Sequence, residues 1–158
     1  MTIQVGDKVP DIELRVMSND GPQAVRTGEL MAGKKVVLFA VPGAFTPTCS
    51  AAHLPGFVVD ADKIKAKGVD SIICTSVNDA FVMDAWGKAH NADHIVMLAD
   101  GLGEFAAALG LTQDRTAGQM GIRSQRYAMV IDDGVVSLLN IDEKGLETTS
   151  SEAILAAL

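Results

Sequence analysis

The residues best suited to do chemistry lie between Pro42 and Cys49, in a segment that joins a predicted strand to a predicted helix. A loop that leaves the carboxyl end of a parallel strand is where open α/β sheets bind ligands. We expect Cys49 in the first turn of the helix, where free backbone N–H groups and the helix dipole stabilise an anion. That setting favours the thiolate, which is the nucleophilic form of cysteine.

Two neighbours of Cys49 could assist such a nucleophile. Thr46, three residues earlier, could place its hydroxyl beside the sulfur and donate to the thiolate or to an incoming oxygen. Pro42 could stiffen the turn and shield a pocket from bulk water. The alternative is a structural cysteine next to a turn, because free cysteine is commonly buried.

The elements that must position this segment alternate between strands and helices. Short apolar runs predict strands at residues 36–41, 71–76, 95–99, 127–131 and 135–141. Helices are predicted at residues 49–67, 80–90, 104–109 and 151–157. We expect Pro55 and Gly56 to kink the first helix or to delay its regular part, and we expect Asn78, Asp79 and Ser151 as helix caps. This order predicts an α/β fold with a central mixed sheet flanked by helices, and it resembles a thioredoxin-like domain.

Composition limits the classes of protein to which the chain can belong. Its 158 residues are 48% hydrophobic and 21% charged, which predicts one globular domain covering residues 1–158. The net charge of −7 argues against a nucleic-acid partner. No stretch approaches the roughly 20 apolar residues of a membrane span, and the amino terminus lacks a signal-sequence pattern. We therefore expect a cytoplasmic protein, with no membrane partner, whose two cysteines are thiols.

The pattern Pro-x-x-x-Thr-x-x-Cys at residues 42–49 resembles the active-site motif of the peroxiredoxins. Residues 41–50 are most similar to the type II, peroxiredoxin 5-like branch. The resemblance continues, with the motifs in the same order, through residues 53–57, 74–83, 86–87, 100–105 and 123–127. It covers almost the whole chain. It implies a thioredoxin-like fold and a thiol peroxidase that needs no metal or other cofactor.

The resemblance also implies a role for individual residues. Cys49 matches the peroxidatic cysteine, whose thiolate attacks the peroxide O–O bond and becomes a sulfenic acid. Thr46 matches the threonine that orients peroxide and thiolate, and Pro42 matches the proline that closes the pocket. Arg126 matches the arginine whose charge stabilises the thiolate and the charge developing on oxygen. Arg123 is a supporting candidate that would hold Arg126 or a helix carboxylate.

Cys74 is the other cysteine, and its place inside a predicted buried strand favours an inert thiol. The type II branch often has a cysteine here, so a resolving role is the alternative. A Cys49–Cys74 bond would need Cα atoms within about 7 Å and therefore local unfolding. Some animal members carry another cysteine near the carboxyl terminus, but residues 146–150 contain none.

The implied substrates are hydrogen peroxide and alkyl hydroperoxides. The resemblance favours an external thiol as the reductant, with glutathione and glutaredoxin as the leading candidates. Resolution by Cys74 would favour thioredoxin instead. Two other functions compete: a disulfide reductase, which needs Cys-x-x-Cys where this chain has Thr46, and a peroxide sensor that passes oxidation to a partner.

Several weaker signals remain. Type II relatives dimerise through loops around the active site, so we expect a homodimer with Phe45 in the interface. His53 could share a helix face with Cys49, and packing is favoured over a hydrogen bond. His90 and His94 have a metal-like spacing but no evident third ligand, so we expect no zinc site. Arg115 is expected at the surface.

Overall fold

The computed structural model describes residues 1–158, in which a seven-stranded mixed sheet forms the centre of the fold. The sheet strands are β1 (Glu13–Ser18), β2 (Gly21–Arg26), β3 (Lys35–Ala40), β4 (Ser71–Ser76), β5 (Ile95–Ala99), β8 (Arg126–Asp132) and β9 (Val135–Asp142). Their order across the sheet is β2-β1-β5-β4-β3-β8-β9. The two remaining strands, β6 (Thr112–Asp114) and β7 (Ile122–Ser124), form a separate hairpin.

The helices are α1 (Thr27–Met31), α2 (Leu54–Ala66), α3 (Ala80–Ala89), α4 (Glu104–Leu109) and α5 (Ser151–Ala157). A π-helical turn at Cys49–His53 leads into α2, and a 3-10 turn covers Thr116–Gly118. No helix has both the length and the apolar character needed to cross a membrane.

Helices cover both faces of the sheet, which confirms the thioredoxin-like α/β fold. Strands β3, β4 and β5 are parallel, and β8 runs antiparallel to β3. Alternate residues of β3 enter two different cores: Val37 and Phe39 pack with α2, α3 and α5, whereas Leu38 packs with α1 and α4. A strand buried on both faces accounts for the continuous apolar sequence at residues 36–41.

Of the predicted helix features, the irregularity near Pro55 and the cap Asp79 are present, whereas Ser151 does not cap α5. The regular helix begins only at Leu54, after the π-helical turn, so the irregularity expected near Pro55 and Gly56 is a delayed start rather than a kink. Ser150 caps α5 by accepting from the Ala153 N–H, while Ser151 donates to Asp60. Asp79 caps α3 as expected.

The predicted cap Asn78 binds the active-site loop instead of a helix. Its Oδ1 accepts from the Ala44 N–H at 3.0 Å and from the Ser76 hydroxyl at 2.6 Å. These two bonds join the loop after β3 to the end of β4. The loop that leads to Cys49 is therefore fixed from the neighbouring strand.

Candidate active site

Cys49 lies at the start of the π-helical turn and is 1% exposed. The chain is already helical at Pro47 and Thr48, and the Ser50 N–H donates to the Thr46 carbonyl at 2.9 Å. The first turn is tied to α3 as well, because the Trp86 Nε1–H donates to the Ser50 hydroxyl at 2.9 Å. Single π-helical turns occur frequently at functional sites. The thiol is thus held in a helix amino terminus by contacts on both sides.

Arg126 brings a positive charge to this thiol. It is the first residue of β8, and side chains two residues apart share a face of a strand. Ala128 and Val130, on that same face, pack in the core beneath α2, so Arg126 also points towards the start of that helix. Its Nη2 donates to the Cys49 Sγ at 3.1 Å, and the residue is 7% exposed. A charge this close stabilises the thiolate over the thiol.

Thr46 does not place its hydroxyl proton on the sulfur, as the sequence suggested it could. Its Oγ1 donates to the Gly43 carbonyl at 2.6 Å and makes no hydrogen bond to Cys49. The reason is local, because residues 43–46 form a turn whose closing acceptor is the Gly43 carbonyl. A hydroxyl has a single proton, so the Thr46 oxygen is left as an acceptor towards a bound ligand.

Arg123 differs from its predicted role, since it contacts neither Arg126 nor a helix carboxylate. Its Nε donates to the Met120 carbonyl at 2.8 Å, and its Nη1 donates to the Val77 carbonyl at 3.2 Å. It therefore joins the loop before β7 to the loop after β4. A Cβ on Gly43 would lie 3.4 Å from the same guanidinium, so Arg123 also supports the active-site turn.

His53 is the residue whose role the sequence missed. Its Nδ1 lies 2.6 Å from the Arg126 Nη1, and its Nε2 lies 2.9 Å from the Thr149 carbonyl. Burial, and then the charge of Arg126, lowers the pKa of His53 from 6.5 to about 3. The position four residues after Cys49 on the same helical segment was the available signal. It did not reveal partners that lie 73 and 96 residues further along the chain.

Asp142 anchors the loop that carries Thr149. Its carboxylate accepts five hydrogen bonds: from the N–H groups of Glu147, Thr148 and Thr149, and from the hydroxyls of both threonines. Burial opposes its charge, but these donors outweigh burial and hold the pKa of Asp142 well below its usual range. The loop is therefore ordered by a charged carboxylate.

A cavity of about 370 Å³ lies beside the site, and Arg126, Thr46 and Thr48 line it although Cys49 itself does not. Its lining is polar apart from two prolines and a glycine, and consists of Pro42, Thr46, Pro47, Thr48, Gln113, Arg115, Arg126, Asp142, Glu143, Lys144 and Gly145. Pro42 is buried at the end of β3 and forms part of this wall. Another cavity, of about 400 Å³, lies between β1 and the starts of α3 and α4, and it shares no lining residue with the first.

Cys74 is fully buried in the middle of β4, between Phe39 and Met97 of the adjacent strands. Burial raises the pKa of the Cys74 thiol well above its ordinary value, and the neighbouring Cys49 raises it further. Both cysteines are free thiols in one hydrophobic core. No group of three or more His, Cys, Asp or Glu side chains is arranged to hold a metal ion.

Phe45 is 56% exposed at the rim of the site. Its φ of 61° lies in the left-handed region, which is unusual for a bulky residue. The Ala44–Asn78 bond fixes the preceding residue, and the Phe45 ring packs 6.5 Å from the Trp86 ring, measured between centroids. The loop therefore keeps a large apolar side chain directed away from the core.

A thiol at a helix amino terminus, bound by a buried arginine on a thioredoxin-like sheet, defines a thiol-dependent redox protein. The family model described as Redoxin matches residues 4–155. The chain therefore belongs to the Redoxin family, as a peroxiredoxin of the type II class. Its activity is that of a thiol peroxidase.

Similar proteins cover the whole chain. Peroxiredoxin-2D from Arabidopsis thaliana is 50% identical over 99% of this chain and 98% of its own length. Reduced Prx3 from Vibrio vulnificus, solved in complex with H2O2, is 58% identical, with a TM-score of 0.96 over 99% of both chains. Peroxiredoxin 5 from Alvinella pompejana is 36% identical, with a TM-score of 0.86 over 98% of this chain and 97% of its own.

Proposed function

We propose that Cys49 is the peroxidatic cysteine, that it reduces hydrogen peroxide and alkyl hydroperoxides, and that an external thiol regenerates it. The observation that carries the assignment is the 3.1 Å contact between the Arg126 Nη2 and the Cys49 Sγ beside the cavity. It gives Cys49 a hydrogen bond from a cation whose side chain also lines the cavity. Cys74 has neither solvent exposure nor a hydrogen bond to a cation.

In the first step, the thiolate attacks one peroxide oxygen and the O–O bond breaks. The sulfur is oxidised to a sulfenic acid, and the electron pair of the broken bond leaves on the other oxygen, which takes a proton to become water or an alcohol. Arg126 stabilises both the starting anion and the charge that develops on the leaving oxygen. The Thr46 oxygen, whose proton is committed to Gly43, accepts from the peroxide O–H and orients it.

In the second step, an external thiol attacks the sulfenic sulfur and releases water, which leaves a mixed disulfide on Cys49. A second thiol then attacks that disulfide and frees the Cys49 thiolate. Support for an external donor comes from Cys74, because its raised pKa leaves almost no thiolate and its side chain is fully buried. We assign glutathione and glutaredoxin as the donors.

Resolution by Cys74 with thioredoxin is the second candidate mechanism. It is favoured by one observation, which is that the two cysteines lie in the same hydrophobic core. Steady-state peroxide consumption separates the candidates. Turnover with glutathione and glutaredoxin supports the external route, whereas turnover with thioredoxin alone, lost in Cys74→Ser, supports the internal one.

The proposed assembly is a homodimer with Phe45 in the contact. Phe81 and Ile122 are two other large apolar side chains that are more than half exposed. Exposed apolar side chains near a functional loop are a common feature of protein interfaces. The cytoplasmic location expected from the sequence is part of the same proposal, and subcellular fractionation of the source cells tests it.

A further inference from the structure

We propose that His53 is a positioning residue that holds Arg126 against Cys49, and that Asp142 fixes His53 in turn through the Thr149 loop. This inference rests on the proposed roles of Cys49 and Arg126. It concerns a group that the chemical steps above do not use. The contacts form one chain, from Asp142 to the 147–149 loop, to His53, to Arg126, and to the thiol.

The two contacts of the imidazole determine where its proton lies. A guanidinium has only N–H donors, so the His53 Nδ1 must accept from Arg126 and cannot carry a proton. A carbonyl only accepts, so the Nε2 must carry the proton and donate it to Thr149. The structure therefore specifies one neutral tautomer. In that tautomer, both hydrogen bonds of the ring are satisfied at the same time.

A neutral partner has a consequence for the arginine. A carboxylate at this position would also orient the guanidinium, but it would cancel much of the charge that the thiolate needs. The imidazole orients Nη1 and leaves the full positive charge for the sulfur bound to Nη2. His53 is therefore suited to hold the arginine in place without competing with the thiolate for its charge.

The ring is held on its other sides by aromatic packing. The Phe39 centroid lies 5.0 Å from the His53 centroid, and the Phe57 centroid lies 5.7 Å from it. These phenylalanines belong to β3 and α2, and neither can ionise. The charged groups that act on His53 are Arg126 of β8 and Asp142 of β9. The imidazole is consequently fixed in a plane, with its two nitrogens aimed at their partners.

Asp142 contributes by ordering the acceptor of that histidine. Its carboxylate binds the Thr149 N–H at 3.0 Å and the Thr149 hydroxyl at 2.7 Å, so the Thr149 backbone cannot turn freely. The carbonyl of this residue is the acceptor of the His53 Nε2–H. Loss of the Asp142 charge would loosen the loop that holds the acceptor of His53.

Two substitutions at the same site test the role of the imidazole. In His53→Asn, the amide oxygen can replace the Nδ1 acceptor, whereas the longer side chain of His53→Gln reaches the position of Nε2 instead. Because His53→Asn keeps the acceptor for Arg126 but loses the bond to Thr149, we expect its thiolate titration and oxidation rate to lie between those of the wild type and those of His53→Gln. We expect His53→Gln to ionise Cys49 at higher pH and to react with hydrogen peroxide about tenfold to hundredfold more slowly.

Asp60→Asn is the matched control for Asp142→Asn. Asp60 is a buried residue on α2 whose carboxylate accepts from Ser151 and does not contact His53. We expect only Asp142→Asn to move the Cys49 titration. Nitrogen NMR of the wild-type protein gives a test that needs no variant. It should show the His53 Nδ1 unprotonated and the Nε2 protonated at neutral pH.

The inference is overturned by equal effects of Asn and Gln at position 53, which would indicate packing alone. The opposite tautomer or a protonated ring would also overturn it, as would equal shifts in the two aspartate variants. Thiolate absorbance and single-turnover oxidation need no reductant, so these results do not depend on the donor. If Cys49→Ser kept full peroxidase turnover, the proposed function itself would fail, and the two failures are thereby distinguished.

Discussion

Arg126 and Asp142 are register partners on the antiparallel strands β8 and β9, yet they form no ion pair. The carboxylate of Asp142 is directed to the 147–149 loop, where five donors bind it. The guanidinium of Arg126 is shared between His53 and Cys49. The strand pair therefore carries a positive and a negative group side by side, each bound to different partners.

The first prediction separates the two cysteines. Cys49→Ser should lose peroxidase turnover almost completely, because a hydroxyl is far less ionised than a thiol. Cys74→Ser should retain most of the turnover with glutathione and glutaredoxin. The measurement is steady-state consumption of hydrogen peroxide. Reversed phenotypes would contradict the assignment of Cys49.

The second prediction concerns the charge beside the thiol. Arg126→Met keeps bulk and removes charge, so Cys49 should ionise at higher pH and react with peroxide more slowly by orders of magnitude. Arg123→Met should have a smaller effect, because Arg123 contacts two carbonyls and not the sulfur. Thiolate absorbance followed against pH reports both variants. If the thiolate titration of Arg126→Met matched that of the wild type, Arg126 would not be the group that stabilises the Cys49 thiolate.

The third prediction concerns the fate of the oxidised sulfur. With peroxide and no reductant, mass spectrometry should show oxygen added at Cys49, and increasingly the sulfinic form as peroxide is raised. With glutathione present, a mixed disulfide on Cys49 should replace it. Quantitative formation of a Cys49–Cys74 bond without reductant would instead require β4 to open in every turnover, and thioredoxin would become the better donor.

The fourth prediction concerns assembly. Phe45→Asp should shift the protein from dimer towards monomer, because it places a charge where the proposed contact is apolar. Val59→Asp is the control, since Val59 is a 76% exposed apolar residue on α2. Light scattering across micromolar concentrations gives the mass. A wild-type mass of one chain throughout that range would rule out the proposed dimer.

The fifth prediction concerns stability in acid. The unfolded chain protonates His53 below pH 6.5, whereas the folded protein keeps it neutral down to about pH 3. The unfolded state therefore binds more protons in this window, and the free energy of unfolding should fall by up to about 1.4 kcal/mol per pH unit as the pH decreases. Between pH 6.5 and the carboxylate range, His53→Asn should flatten this slope.

The control for that experiment is His94→Asn, because His94 is exposed. Its denaturant-derived unfolding free energy should follow the wild-type pH dependence. The lowered pKa of Asp142 acts in the same direction at lower pH. Below the ordinary pKa of a carboxylate, the unfolded chain protonates Asp142 while the folded protein keeps it charged, so the free energy of unfolding falls further. If the free energies of unfolding of His53→Asn and the wild type decreased equally with falling pH, His53 would not be a neutral buried group.

Much of the sheet could be predicted, because strands buried on both faces leave a continuous apolar sequence. β3 and β4 are examples, with five of six residues buried in each. The β1–β2 hairpin was missed since most of its residues are exposed or half-exposed and Pro22 interrupts the pattern. Its pairing is fixed by its neighbours in the fold rather than by a local signal.

The site could be predicted to the extent that its residues lie within one motif. Pro42, Thr46 and Cys49 share a single loop, so their spacing indicated their proximity. The bonds that orient them cross the fold: Arg126 reaches His53 from 73 residues away, and Arg123 reaches Val77 from 46 residues away. Hydrogen-bond partners at such separations leave no periodic trace in the sequence, which is why His53 was assigned to packing.

Cys74 is completely buried in β4, the middle strand of seven, so the reactivity of its thiol reports how often the sheet opens. A water-soluble alkylating reagent reaches its sulfur only in molecules whose centre has opened. In the Cys49→Ser protein it is the only thiol, so the rate of labelling under native conditions gives the opening free energy in the same way as amide exchange. The chain thus contains its own probe of local unfolding at the position furthest from either sheet edge.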